Sequence, residues 1–149
     1  MNFMKLSAFA VSMLAAVAFT ACDDSSSADD NSKNYDCSVK GGVKVVSPAG
    51  GESFKLGETV TVVFGTDVDD SGYRFLLKTS EEDPGLDLLD SSVTVSNPDG
   101  KTCIEQKVVL SEDALPDDVK LPLKGAIIRV SPYNKTSKAA NSGAFKLTE

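Results

Sequence analysis

The sequence predicts an all-β fold: an immunoglobulin-like β-sandwich of about seven strands, placed after a cleaved signal peptide and a flexible tether. Three observations predict it. Short runs of apolar residues recur at a period of two between Gly41 and Glu149, each bounded by turn residues, as half-buried strands require. Helical periodicity is thin over the same span. The composition also breaks abruptly at Cys22, where an Ala-rich apolar run gives way to Asp23, Asp24 and a run of serines. The expected organisation is a signal peptide over 1–21, a tether over 22–36 and one domain over 37–149.

The N-terminal segment has Lys5, then an uncharged stretch of 14 residues from Leu6 to Phe19, then Thr20 and Ala21 before Cys22. A charged start, an apolar middle and small residues before a cut describe a secretory signal. The apolar stretch is shorter than the roughly 20 residues that span a bilayer. An uncleaved anchor, or an ordinary signal with an incidental cysteine, are the alternatives. Thr20-Ala21-Cys22 resembles the lipobox of bacterial lipoproteins, with Phe19 where that family usually has Leu. The resemblance implies that the Cys22 thiol is diacylated, that the chain is cut before it, and that the new amine is acylated. It also implies a partner, the membrane, held through the lipid, with an outer-membrane or cell-surface location favoured over the inner membrane. Several acyl chains hold where one would be marginal, at about 0.8 kcal/mol per buried CH2.

Loss of residues 1–21 removes Lys5, so Lys+Arg falls from 15 to 14 against 22 Asp+Glu and the net charge moves from -7 to -8. Such an acidic chain is a poor ligand for DNA or RNA, which are bound largely by neutralising phosphates. Asp23 to Asp36 carries one aromatic, Tyr35, and no aliphatic side chain larger than Ala28. It buries too little apolar surface to offset the entropy of ordering, so it reads as a spacer. With Cys22 lipidated, Cys37 and Cys103 remain in a compartment that permits disulfides. Joining them would close a loop of about 67 residues and stabilise the fold by about 4 kcal/mol. Two thiols without histidine make only half a zinc shell.

Within the domain, Val43 and Val45 open the first row, and Ser47-Pro48-Ala49-Gly50-Gly51 turns the chain. Val60, Val62 and Phe64 share one face of Thr59–Thr66, opposite Thr59 and Thr61. Tyr73, Phe75 and Leu77 form a second inward row, with Arg74 and Lys78 pointing away. Val93 and Val95 form a third, ended by the turn residues Asn97-Pro98-Asp99-Gly100. Residues 101–110 are expected to be a strand that carries Cys103. Ala126, Ile128 and Val130 alternate with Ile127 and Arg129, and Phe145 and Leu147 close the chain. Residues 81–90 and Ser111–Leu115 read as connections, the second with a short helix before Pro116. Rows of this kind pack against a second sheet.

The stretch Val45-Val46-Ser47-Pro48-Ala49-Gly50-Gly51-Glu52, followed by Phe54-Lys55-Leu56-Gly57-Glu58-Thr59-Val60-Thr61-Val62-Val63-Phe64, resembles the opening of the Ser-Thr-rich, Kre9/Knh-like N-terminal domain family. Ile127-Ile128-Arg129-Val130 and Ser142-Gly143-Ala144-Phe145-Lys146-Leu147 resemble its closing strands. Phe64 stands where that family usually has Trp. The resemblance implies an extracellular β-sandwich, often found beside glycan-active modules, and carries no catalytic residue.

Histidine is absent, which removes the commonest general base and metal ligand at neutral pH. No G-x-S-x-G turn presents a serine nucleophile. A carboxylate pair of the glycosidase kind needs a deep cleft, and a small sandwich has little material for one, so no catalytic residues are expected. Asp67, Asp69 and Ser71, with Gly72, have the spacing of the first half of a calcium loop, but Lys78 stands where its closing glutamate belongs. Calcium is the only cofactor the sequence raises. Tyr133 follows Pro132 in a loop and, with Asn134, Lys135 and Asn141, is the candidate glycan contact, since sugar rings stack on exposed aromatics. The expected function is a lipid-anchored envelope protein with a non-catalytic structural or adhesive domain. Its partner would be envelope polysaccharide or another surface protein; the alternative is a glycan-binding accessory lipoprotein.

Overall fold

Val60, Val62 and Phe64 are at most 4% exposed, and the strand that bears them is the middle of the smaller of two sheets. The computed structural model describes residues 34–149, so the expected signal peptide, the expected lipidation of Cys22 and most of the expected tether lie outside the described residues. Tyr35–Glu149 forms one compact unit. It contains nine strands: β1 (Val43–Ser47), β2 (Ser53–Lys55), β3 (Thr59–Thr66), β4 (Tyr73–Lys78), β5 (Leu86–Asp87), β6 (Ile104–Val109), β7 (Leu123–Pro132), β8 (Ala140–Asn141) and β9 (Phe145–Thr148). One sheet has the order β1-β3-β6; the other runs β2-β9-β7-β4-β5, with β8 also on β7. The domain is therefore an all-β immunoglobulin-like sandwich, and no described helix is long and apolar enough to cross a membrane.

The first strand is divided between the sheets. β1 runs antiparallel to β3, whereas β2 runs parallel to β9. The crossover is made by Pro48-Ala49-Gly50-Gly51, where both glycines take positive φ, +119° and +86°, a region that side chains with a Cβ rarely occupy. Glu52 fastens this turn, its two carboxylate oxygens accepting the N–H groups of Ala49 and Gly50 at 2.8 and 2.7 Å.

The core lies between the sheets. Tyr73, Phe75 and Leu77 of β4, Ala126, Ile128 and Val130 of β7, and Phe145 and Leu147 of β9 are each at most 1% exposed. Phe64 reaches across to Phe75 with ring centroids 5.6 Å apart in an edge-on arrangement, the geometry that the ring quadrupoles favour. Phe54 and Phe145 repeat it at 5.2 Å.

Several expectations are corrected. Val93 and Val95 make no strand; Val93 forms only an isolated bridge with Tyr73, because β5 already occupies the same edge of β4 at Leu76 and Leu77. The sixth strand begins at Ile104, one residue after Cys103. The short strands β2, β5 and β8 raise the count above seven. Lys78, expected to point away, is 4% exposed, since the connection to β5 folds over its stem and its Nζ donates to the Glu81 carbonyl at 2.8 Å. Ser111–Leu115 does hold a single helical turn at Glu112–Ala114.

The Cys37–Cys103 disulfide is formed, with Cα atoms 5.2 Å apart. It secures the segment before β1 across the end of β3: a Cβ on Gly65 would overlap the Cys37 carbonyl. Val39 N–H donates to Gly100 O at 2.9 Å, and Gly100 N–H to Thr66 O at 3.0 Å.

Candidate functional site

Arg74 and Phe75 lie on β4 between two attachments made by the chain that follows β5. At one end Leu88 N–H donates to Phe75 O at 2.7 Å. At the other, Tyr73 and Val93 exchange both backbone hydrogen bonds, at 2.8 and 2.9 Å. Leu88 is buried and sets the depth of the segment, so residues 89–92 arch outward from the edge of β4. Beneath the arch, Arg74 donates from Nε and Nη2 to the two carboxylate oxygens of Asp87, at 2.9 and 2.6 Å. Two parallel charge-assisted bonds fix both planes. The Asp87 hydrogen bond, and then its charge, raise the Arg74 pKa further above its ordinary value.

Tyr133 forms the facing wall. It leaves the end of β7 with its N–H donating to Gly72 O at 2.8 Å, and its side chain is 58% exposed, the most of any large hydrophobic residue described. Gly72 joins the two walls, because Ser92 packs where a Cβ on Gly72 would stand. The groove between them has a volume of about 390 Å³ and is lined by Arg74, Asp87, Leu89, Asp90, Ser92 and Tyr133 among others.

The loop behind Tyr133 is held by Asp70. Its carboxylate accepts the N–H groups of Asn134 and Lys135 and the Asn134 amide, all at 3.1–3.2 Å. Partial desolvation pushes the Asp70 carboxyl up, but the N–H groups of Asn134 and Gly72 outweigh it and the net shift is downward. Lys135 Nζ adds a bond to Asp69 O at 2.7 Å. These bonds fix the backbone that follows Tyr133.

Known protein families, curated proteins and solved structures were compared with the chain, and none matches.

The residues singled out in the sequence are not all brought together. Tyr133 is in the groove, but Asn134 is spent on Asp70 and on Ser71 Oγ, at 3.0 Å to the latter. Asn141 sits on β8 opposite Arg129 and accepts its Nη1–H at 3.0 Å. That is four residues back along β7 from Tyr133, about 13 Å at strand spacing. Asp67 turns the other way: its carboxylate accepts the N–H groups of Gly41 and Gly42, and the Gly41 bond is the main cause of its lowered pKa. Ser71 faces Asn134 and Asp70 instead. Asp67 and Ser71 thus engage different partners, and no three Cys, Asp or Glu side chains are grouped for a metal among the described residues.

Arg74, Asp87, Asp90 and Ser92 are among the groove residues that the sequence did not single out. Arg74 was visible as an outward position on β4. The other three depend on how the arch returns to that strand. Among the described residues, no donor or cation reaches Asp90, which is exposed. The arrangement offers hydroxyls, a free carboxylate, an ordered ion pair and an aromatic ring, a set suited to binding.

Proposed function

We propose that this chain is an exported, lipid-anchored envelope protein whose non-catalytic immunoglobulin-like sandwich serves as a structural or adhesive module. The observation that carries the reading is Cys22, placed after Thr20 and Ala21 at the end of a 14-residue apolar run and followed by a polar, acidic segment. The Cys37–Cys103 disulfide supports it, since such bonds persist outside the reducing cytosol. The resemblance to the Kre9/Knh-like domain agrees with an extracellular sandwich. Outer membrane or cell surface is the proposed location, and envelope polysaccharide or a neighbouring surface protein the proposed partner.

Intact-mass analysis of the protein purified from bacterial membranes tests the proposal. The expected species lacks residues 1–21 and carries acyl mass at Cys22, and Cys22→Ser abolishes both the acylation and the membrane association. A chain that retains Met1 without acyl mass overturns the anchor.

A further inference from the structure

We infer that the groove between the 89–92 arch and Tyr133 is a binding site for a neutral hexopyranose, a terminal or short saccharide. The inference does not require the lipid anchor, so failure of acylation and failure of sugar binding are separate results.

Shape comes first. Both walls are attached to β4 or to the residue before it: the arch through Leu88 and Val93, and Tyr133 through Gly72. Asp70 then holds the loop behind Tyr133 through backbone and amide hydrogen bonds. The backbone of both walls is thus fixed in advance, which removes that part of the ordering cost of binding. A volume of about 390 Å³ lies at the small end of ligand clefts and accommodates about one to two sugar rings.

The chemistry selects the class. A pyranose has an apolar C–H face and a rim of hydroxyls. Tyr133, 58% exposed at the wall, supplies an apolar ring face for the first. Asp90, which no described donor reaches, supplies paired acceptor oxygens for adjacent hydroxyls, and the hydroxyls of Ser91 and Ser92 supply donors and acceptors. Anionic ligands are disfavoured. The Arg74 guanidinium is already committed in two bonds to Asp87, which leaves the Asp90 charge uncompensated. Flat crystalline polysaccharide is disfavoured too, because Tyr133 is the only aromatic lining the exposed part of the groove, whereas Phe75 is 1% exposed.

The test uses the full chain in a detergent without a sugar headgroup. Methyl glycosides of glucose, galactose and mannose, and their short oligomers, are titrated by calorimetry and by saturation-transfer NMR. At least one is expected to bind. Tyr133→Ala and Asp90→Ala should each weaken it about tenfold, with an unchanged circular dichroism spectrum because both side chains are exposed. Lys146→Ala, on β9 beside β2 at the opposite edge of the sheet, should leave binding unchanged. Silence from every neutral glycoside, binding confined to amine-bearing compounds, or affinity untouched in both groove variants would each overturn the assignment.

Discussion

The Tyr73 hydroxyl lies 2.9 Å from Thr66 Oγ1, with both residues at most 1% exposed. The same hydroxyl donates to the Val68 carbonyl, and Val68 N–H donates to Thr66 Oγ1 at 3.0 Å. The corner between β3 and β4 is thus closed by a side-chain loop that satisfies each buried polar group, resembling the tyrosine corner of immunoglobulin sandwiches though set on a different strand pair. Burial pushes the Tyr73 phenol above its ordinary pKa. Tyr73→Phe should lower stability by about 1–2 kcal/mol, since the Val68 carbonyl loses its partner inside the protein. Urea denaturation followed by circular dichroism measures this, and a midpoint equal to the wild type would show that the network adds nothing.

The disulfide encloses a chain separation of 66 residues, from the segment before β1 to the start of β6. The double substitution Cys37→Ser with Cys103→Ser should destabilise the domain by about 4 kcal/mol on the chain-entropy argument. Denaturation of the wild type with and without a thiol reductant should show the same difference. Equal midpoints in both conditions would mean that the crosslink leaves the unfolded ensemble unconstrained.

Gly65 permits the disulfide-bearing segment to cross β3 closely, because a Cβ would overlap the Cys37 backbone carbonyl. Backbone on both sides cannot rotate away as a flexible side chain would. Gly65→Ala should therefore cost about 3 kcal/mol, in the range of strained or overpacked sites. Gly57→Ala gives a comparison of another kind. There φ is +86° but nothing lies within 4 Å, so only local backbone strain of about 1 kcal/mol is expected. Thermal melts that rank the two variants in the opposite order would refute the crossing.

The strand rows were legible where one face is buried against the other sheet. Val60, Val62 and Phe64, or Ala126, Ile128 and Val130, alternate because water lies on one side and core on the other. Two-residue strands such as β5 and β8 are too short to display a period. The arch over Arg74 was hidden for a related reason: Leu86-Asp87-Leu88-Leu89-Asp90 has no alternation, and its course is set by where Leu88 and Val93 return to β4. Tyr133 was visible as an exposed aromatic after Pro132, but its neighbours come from distant parts of the chain. In the loop after β3, the sequence favoured Asp67 and Asp69 by spacing, whereas backbone direction gives the central role to Asp70. Many of the chain's carboxylates turn out to fasten loop N–H groups, a use that composition alone cannot distinguish from a solvated face.

Asp99 shows what that use implies for acid stability. It follows Asn97, which has a positive φ of 53°, and its carboxylate accepts the N–H groups of Lys101 and Thr102 and the Thr102 hydroxyl, each at 2.8 Å. The Thr102 N–H, then that of Lys101, lower its pKa from 3.8 to about 2. Asp67, Asp70 and Asp83 are shifted in the same direction by backbone N–H groups, those of Gly41 and Gly42 for Asp67, of Asn134 and Gly72 for Asp70, and of Thr79 and Gly85 for Asp83. A carboxyl with a lower pKa in the folded state binds fewer protons there than in the unfolded chain, so acid favours unfolding. The Asp99 contribution is complete only well above its unfolded value of 3.8, and it is lost as the pH falls through that value and through about 2. Urea midpoints should stay level from neutral pH down to about 5, then decline steadily to about pH 2. Asp99→Asn should make that decline shallower, because the amide does not titrate, and should lower the midpoint at neutral pH by weakening the acceptor. A wild-type midpoint that holds level through the acid range, or an Asp99→Asn profile parallel to it, would show that these bonds do not discriminate between charged and neutral carboxyl groups.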